Sequence, residues 1–293
     1  MQERISPLID RQITFAHRGA RAHLPENTIE AFELAIRLGA TGLESDTWIS
    51  RDGIAVLDHD GVVKGRIRNK PISSFNRSEL PGWIPSLADL YRRCGAELHL
   101  SLDIKDINSM GAVVETIAES GNPKKTWLCH PDLTFLEQWV GHVAGANLVH
   151  STRLKAMLKG PERHAAILRD LGVSTVNMPF PDWNGGLVAL FHRFNILCFG
   201  WNLQYPEVLT TGLRMGLDGI FSDWPDRASD AISKGTLDVK VPNIEADDEF
   251  KQLNANFNSM IDRLKKQQDK LLAAERYEAW ESVARKLAHE IKN

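Results

Sequence analysis

Strand-like and helix-like segments alternate eight times over roughly the first 240 residues of this chain, and this alternation restricts the fold more than any other feature. The strand-like runs lie near 13–18, 41–48, 98–104, 125–129, 146–150, 173–178, 195–201 and 218–222. The amphipathic or Ala- and Leu-rich stretches lie near 28–38, 86–94, 110–120, 132–142, 161–171, 183–193, 205–216 and 224–234. Eight such pairs predict an α/β fold of the (β/α)₈ TIM barrel type. A doubly wound open sheet is the alternative, but no GxGxxG sequence follows the first strand.

Charge and composition are those of an ordinary soluble protein, with 43% apolar and 25% charged residues. The net charge of −3, without a block of like charge, argues against nucleic acid as a partner. No run approaches the roughly 18 apolar residues of a membrane span, and the N-terminus lacks the apolar core of a signal peptide. Cys94, Cys129 and Cys198 are scattered without CxxC spacing, which favours a reducing compartment. We therefore expect a cytoplasmic protein.

The composition changes after residue 240. All 21 glycines lie before residue 236, and 241–293 contains none. We therefore divide the chain into a barrel over 1–240 and a helical tail over 241–293. Apolar residues in the tail recur at alternating spacings of three and four, which predicts a coiled-coil-like helix with a narrow seam. The seam residues are Phe250, Leu253, Phe257, Met260, Leu264, Gln267, Leu271 and Ala274. Such a seam cannot form a core alone, so we expect a homodimer through this helix.

Three acidic residues at predicted strand ends are candidate metal ligands. Glu44 and Asp46 are two apart on one strand, so their side chains face the same way. Asp103 ends another strand, and Lys105 follows it on the same side. Converging carboxylates repel each other unless a proton or a cation lies between them. Three carboxylates suit Ca²⁺ or Mg²⁺, whereas zinc favours histidine or cysteine.

Two of the ten histidines stand out by their surroundings. His17 ends the first strand and precedes Arg18, whose guanidinium can bind two phosphate oxygens. His59 lies between Asp58 and Asp60, either of which can orient its ring. Imidazoles exchange protons near neutral pH, so these histidines beside the acids predict acid–base hydrolysis around a metal ion.

The segment 24–28 opens the first predicted helix. Asn27 or Thr28 is a natural N-cap for that helix. The functional alternative has Glu26 and Asn27 bracing His17, and both interpretations can hold.

Together these residues resemble the glycerophosphodiester phosphodiesterase family over 13–230. The matching blocks are His17-Arg18-Gly19, Pro25-Glu26-Asn27-Thr28, Ala31-Phe32, Gly39-Ala40, Glu44-x-Asp46, Asp52-Gly53, His59-Asp60, Ile84-Pro85-Ser86-Leu87, Asp103-Ile104-Lys105, Phe199-Gly200-Trp201-Asn202 and the run from Gly216 to Pro225. The resemblance implies a TIM barrel that cleaves a glycerophosphodiester into glycerol phosphate and an alcohol.

The resemblance also implies the role of each site residue. His17 and His59 would be the general base and acid, in an order that stays open, and Arg18 and Lys105 would bind the phosphoryl group. Glu44, Asp46 and Asp103 would be the metal ligands. Phe199 and Trp201 would line the substrate pocket. Asp103 departs from the glutamate usual in the family, and the short segment after Asp60 reduces the cap domain often inserted there. These departures bear on metal affinity and substrate size.

The tail resembles a different family. Residues 248–260 are similar to the second helix of a HAMP linker, and 280–293 to the H-box of a nitrogen-regulation-type sensor histidine kinase. In that family the residue matching His289 is phosphorylated, but without an ATP-binding domain we expect no kinase activity. The tail is then a dimerisation or signalling helix, a fusion scar, or a charged helix with accidental likeness. The rival to hydrolysis is a signalling module with a sensing barrel and a relay tail, and a third reading is an inactive barrel that only binds.

Overall fold

The computed structural model describes residues 5–65 and 68–236, together with scattered positions between 259 and 281. The scattered positions are all helical and exposed, which confirms the expected C-terminal helix. They include Met260, Leu264 and Leu271 of the predicted seam. The other end of the seam, 250–257, and His289 lie outside the described residues. Among the helices that are described, none is long and apolar enough to cross a membrane.

Eleven strands lie within the described residues. They are β1 (Ile13–Ala16), β2 (Gly42–Ile49), β3 (Ala55–Leu57), β4 (Val62–Val63), β5 (Lys70–Pro71), β6 (His99–Ile104), β7 (Thr126–His130), β8 (Asn147–Ser151), β9 (Thr175–Pro179), β10 (Leu197–Trp201) and β11 (Gly219–Ser222). Eight of them pair in parallel in the order β1-β11-β10-β9-β8-β7-β6-β2, and β1 also pairs with β2. This last pairing closes the ring, so the fold is a (β/α)₈ barrel and the open-sheet alternative is wrong.

Helices follow the barrel strands on the outside. Along the described chain they are α1 (Ile29–Arg37), α2 (Leu87–Cys94), α3 (Met110–Ser120), α4 (Leu133–Trp139), α5 (Pro161–Leu171), α6 (Gly185–Arg193), α7 (Pro206–Arg214) and α8 (Pro225–Thr236). Each of these lies within a few residues of its predicted span. The N-cap of α1 is Thr28, whose hydroxyl accepts a hydrogen bond from the Ala31 amide at 3.2 Å. Asn27 is thereby free for a different role.

The lower interior of the barrel is filled by aromatic side chains. Phe15 stacks on Phe221 at 4.6 Å between ring centroids and meets Phe199 at 5.4 Å. Phe199 also contacts the edge of Trp127 at 4.9 Å and is completely buried. Phe199, which we expected in the substrate pocket, therefore belongs to this core. This aromatic core lies beneath the polar side chains at the carboxyl ends of the strands.

A buried carboxylate fixes the amino-terminal end of the barrel. Asp218 is fully buried just before β11 and accepts hydrogen bonds from the Leu8 amide at 2.7 Å, the Cys198 amide at 2.8 Å and His192 Nε2 at 2.9 Å. Three donors satisfy the charge that burial would otherwise penalise. In TIM barrels this end serves stability, and chemistry lies at the other end.

The short strand β3 brings the chain back along β2. It pairs antiparallel to β2 with Thr47 opposite Leu57, and the Asp58 amide then donates to the Asp46 carbonyl at 3.1 Å. His59 therefore follows a returning strand and not the end of a barrel strand. Residues of this insertion form a small core of their own, made of Val56, Ile72, Leu80 and Ile84.

Candidate active site

A cavity of about 350 Å³ opens at the carboxyl ends of the barrel strands. Its lining residues are His17, Arg18, Arg21, Glu44, Asp103, Lys105, Ser151, Asn177, Trp201, Asn202, Gln204, Phe221 and Asp223. Six residues that the sequence predicted for the site are among them: His17, Arg18, Glu44, Asp103, Lys105 and Trp201. The barrel register explains their convergence, because Glu44 lies on β2 opposite Ser101 of β6, and Asp46 opposite Asp103.

Glu44, Asp46 and Asp103 form the acidic centre of the site. They offer carboxylate oxygens that all lie within 4.8 Å of one another. Burial, and then the charges of Asp46 and Asp103, raise the pKa of Glu44 well above its usual value. A divalent cation among these oxygens would offset the repulsion between the three carboxylates. Three carboxylates are oxygen ligands of the kind that Ca²⁺ and Mg²⁺ bind, so this set of donors fits either ion.

Lys105 lies against two of these acids. Its Nζ is 3.1 Å from Asp46 Oδ1 and 3.0 Å from Asp103 Oδ2. Burial alone would lower the pKa of Lys105, but the two carboxylates raise it above its usual value. Lys105 therefore stays charged at the edge of the cavity, where an anionic substrate group can meet it.

Arg18 is held in an unusual backbone conformation beside the acids. Its φ is +55°, and Gly19 follows at φ +80°, where an added Cβ would lie 2.8 Å from the Ala31 carbonyl carbon. The turn aims the Arg18 amide at Glu44 Oε2, 2.8 Å away. Its guanidinium donates to both oxygens of Glu26 at 3.1 and 3.0 Å, and its Nε is 3.4 Å from Asp46 Oδ2. Strained backbone of this kind is common at functional sites.

His17 is oriented by an acid from the last strand of the barrel. Its Nδ1 donates to Asp223 Oδ1 at 2.6 Å, which leaves Nε2 turned towards Glu44 Oε2 at 3.9 Å. Burial alone would raise the pKa of Asp223, but the hydrogen bond and charge of His17, with Arg21, lower it below its usual value. The imidazole therefore presents one free nitrogen to the cavity.

His59 lies in a neighbouring cavity with Glu26, Asp58 and Asp60, outside the wall of the main one. Its Nδ1 donates to Asp60 Oδ1 at 2.8 Å, and this bond lowers the pKa of Asp60. Asp58 instead accepts from the Gly61 amide at 2.7 Å. Of the two acids that could have oriented His59, the structure selects Asp60.

Glu26 and Asn27 brace the site differently from the expectation. Neither bonds to His17: Glu26 holds Arg18, and the buried Asn27 side chain contacts Asp46 Oδ2 at 3.4 Å and accepts from Ser45 Oγ at 2.7 Å. Glu26 and Asn27 therefore brace Arg18 and Asp46, which we expected to bind phosphate and metal.

The sequence reasoning assigned no role to Asp223 or Asn177. Asp223 follows β11 directly, so its strand-end position was a usable signal. Asn177 sits inside the buried strand β9, opposite Ser151 of β8, and only 5% of it is exposed. Its Oδ1 has no hydrogen-bond partner among the described residues. A buried acceptor facing a cavity calls for a donor from a ligand.

A second cluster of potential metal ligands lies at the opposite end of the barrel. His192, Cys198 and Asp218 offer atoms within 4.8 Å of one another. Burial raises the pKa of the Cys198 thiol well above its usual value. A protonated thiol is a poor metal ligand, so we assign this cluster to the barrel's closure.

The fold and site thus define a TIM barrel with an acidic cluster and an oriented imidazole at its catalytic end. Residues 17–84 match the glycerophosphoryl diester phosphodiesterase family. The protein named Probable glycerophosphodiester phosphodiesterase 2, from Mycobacterium tuberculosis, is 27% identical over 252 residues, covering 78% of this chain and 93% of the relative. The phosphodiesterase OLEI02445 of Oleispira antarctica, solved in complex with the product sn-glycerol-3-phosphate, shares the fold with a TM-score of 0.66 at 19% identity, covering 75% of this chain and 96% of that one. The resemblance over the barrel is thereby confirmed.

The C-terminal part matches different proteins. Residues 227–266 match the HAMP domain, so the match begins inside α8. A protein named as an NtrY-like sensor histidine kinase of Rickettsia felis is 51% identical over 67 residues, which are 22% of this chain and 11% of the kinase. The chain therefore matches the phosphodiesterase family over 17–84 and the HAMP domain over 227–266, and 67 of its residues are similar to these kinases.

Proposed function

We propose that this chain hydrolyses glycerophosphodiesters to glycerol phosphate and an alcohol in a reaction that depends on a divalent cation. The observation that carries the proposal is the single cavity whose wall contains His17, Glu44, Asp103 and Lys105, with Asp223 behind His17. The named relatives support the same reaction, and the product in the Oleispira antarctica complex is the product expected here. A ligand-sensing barrel without catalysis would not need an imidazole held against an acid at 2.6 Å.

The cation would be held by Glu44, Asp46 and Asp103. Their oxygens are hard donors, which favours Ca²⁺ or Mg²⁺ over zinc. When bound, the cation supplies positive charge that stabilises the phosphoryl oxygens as charge develops on them. Asn27 and Arg18 keep Asp46 in place for this role.

The two imidazoles would carry the proton transfers. Nε2 of His17 is free to take a proton from the attacking oxygen or give one to the leaving alkoxide, because Nδ1 is bonded to Asp223. His59 is oriented in the same way by Asp60, and it would act from the neighbouring cavity. Both histidines are thus oriented by a carboxylate, which stabilises the positive charge of whichever imidazole holds the proton.

Three further groups would bind the substrate. Lys105 and Arg18 place cationic groups beside the acidic centre, where they can meet the phosphoryl oxygens. The free Oδ1 of Asn177 can accept a hydrogen bond from a hydroxyl group of the substrate. A glycerol moiety offers such donors, whereas a choline group that is esterified to the phosphate offers none.

The test is product identification by phosphorus NMR with glycerophosphocholine, glycerophosphoethanolamine and glycerophosphoglycerol, with and without Mg²⁺ or Ca²⁺. We expect glycerol phosphate as the product, activity abolished by chelation, and a loss on the order of 10²–10⁴-fold in His17→Ala and in His59→Ala. His142→Ala is the matched control, because His142 is exposed on the outer surface. Full activity in His17→Ala, or no hydrolysis of any diester, would refute the proposal.

For the tail we propose self-association through the C-terminal helix. Met260, Leu264 and Leu271 are apolar, helical and 48%, 44% and 65% exposed, as a seam awaiting a partner helix would be. The HAMP match supports the same reading. Sedimentation of the full chain should give a dimer, and Leu264→Glu with Leu271→Glu should give monomers. A monomeric wild-type chain would refute self-association, and phosphate transfer to His289 by a separate kinase would favour the signalling alternative.

A further inference from the structure

A second cavity continues from the catalytic one. It has a volume of about 430 Å³ and shares Ser151 and Trp201 with the catalytic cavity. The rest of its wall comes mainly from the loop that follows β8, together with Pro131 after β7. A substrate whose phosphoryl group lies in the first cavity can therefore extend one of its two alcohol groups into the second.

The wall of this second cavity is positively charged. Arg153 and Lys155 are its two charged lining residues, and both are exposed. Within the part of the chain that the structure describes, neither forms an ion pair with a carboxylate. The Arg153 guanidinium lies 5.4 Å from the centre of the Trp201 ring, which holds it beside the shared wall. Asp182 contacts the same loop, but its Oδ2 accepts a hydrogen bond from the Leu154 amide at 2.9 Å.

The cavity around His59 has the opposite charge. Its wall contains Glu26, Asp58 and Asp60 against a single lysine, Lys64. The two cavities therefore favour alcohol groups of opposite charge. A cationic group such as choline would be repelled by Arg153 and Lys155, and an anionic group would be attracted.

We propose that the second cavity binds the leaving alcohol of the substrate and selects alcohols that carry a negative charge. This inference rests on the hydrolysis proposed above. The glycerol part of a glycerophosphodiester is uncharged, so a charge recognised beyond the phosphoryl group must belong to the other alcohol. Arg153 and Lys155 are then specificity-determining residues, and the ligand chemistry is a second phosphate or a carboxylate on that alcohol.

The test compares two substrates that differ only in this charge. Glycerophosphoglycerol phosphate carries a terminal phosphate that glycerophosphoglycerol lacks. For the wild-type chain we expect kcat/KM for the phosphorylated substrate to be higher by about tenfold, or about 1.4 kcal/mol. Glycerophosphocholine should be the poorest substrate of the three.

Variants then assign the preference to the cavity. Arg153→Gln with Lys155→Gln should bring the ratio of the two kcat/KM values close to one, and Arg153→Glu with Lys155→Glu should move the preference towards glycerophosphocholine. The matched control is Lys124→Gln with Arg193→Gln, which removes the same charge from exposed positions at the amino-terminal end of the barrel and should keep the wild-type ratio.

Equal kcat/KM values in the wild type, or an unchanged ratio in the Arg153 and Lys155 variants, would overturn the proposal. Hydrolysis of glycerophosphoglycerol reports the proposed function separately, because that substrate lacks the charge in question. If none of the three substrates were hydrolysed, the proposed function would fail. Calorimetric binding of glycerophosphoglycerol phosphate to the wild-type and doubly substituted full chains would then still decide the charge preference.

Discussion

Replacing Asp223 by asparagine tests whether the acid behind His17 serves catalysis. The Asp223 side chain is 25% exposed and accepts from His17 Nδ1 at 2.6 Å. A hydrogen bond to a charged group contributes about 1.5–3 kcal/mol, and the bond from His17 to Asp223 is of this kind when His17 holds the transferred proton. Because each 1.36 kcal/mol of barrier is a factor of ten, Asp223→Asn should lower kcat by roughly 10- to 200-fold.

The matched variant is Asp60→Asn, which removes the corresponding acid from His59. The Asp60 side chain is 52% exposed, so water screens its charge, and an exposed pair contributes about 1 kcal/mol or less. We expect kcat to fall less than about fivefold. The assay is steady-state hydrolysis of glycerophosphoglycerol, with thermal unfolding as a check that both variants fold. A kcat within twofold of wild type for Asp223→Asn, or an equal loss in both variants, would refute the reasoning.

Two further predictions concern the stability of the protein in acid and the side-chain amide of Asn177. His150 is buried with Nδ1 3.0 Å from His164 Nε2, and burial followed by His164 lowers its pKa to about 4. The unfolded chain therefore binds more protons below about pH 6.5, so this contribution to stability is complete above that pH and decreases by about 2 kcal/mol by pH 5. Urea unfolding at pH 7.5 and pH 5 should show this loss of stability in wild type and in His142→Gln, which is the control at an exposed site. The variant His150→Gln should not show it. An equal loss of stability in all three proteins would contradict the role of His150. Asn177→Leu should lower kcat/KM for glycerophosphoglycerol by about tenfold without lowering the melting temperature, since Oδ1 has no hydrogen-bond partner to lose among the described residues. An unchanged kcat/KM would contradict the proposed role of Asn177.

Much of the fold could be predicted because each element carries its own signal. The helix over 161–171 begins with Pro161 and ends before Gly172 in a left-handed conformation, and the prediction matches the observed bounds. The pairing of Glu44 with Asp46 followed from strand alternation alone, and the parallel register then placed Asp103 beside Asp46.

What the sequence could not supply is the depth of each side chain inside the barrel and the side-chain contacts between its first and last strands. Phe199 and Trp201 are two apart on β10 and both face inward, yet Phe199 fills the core while Trp201 lines the cavity, because only the stagger of the strands sets the level. The contact between His17 and Asp223 spans 206 residues and exists only because β11 closes the ring on β1. No local pattern contains that information.

The most direct test of the metal-centred account is anomalous diffraction from crystals of the full chain soaked with Mn²⁺, a hard cation that oxygen ligands accept in place of Mg²⁺. We predict a single strong peak bounded by carboxylate oxygens of Glu44, Asp46 and Asp103. A soaked crystal with no peak at these three residues, or with its peak at His192 and Asp218 instead, would contradict the account.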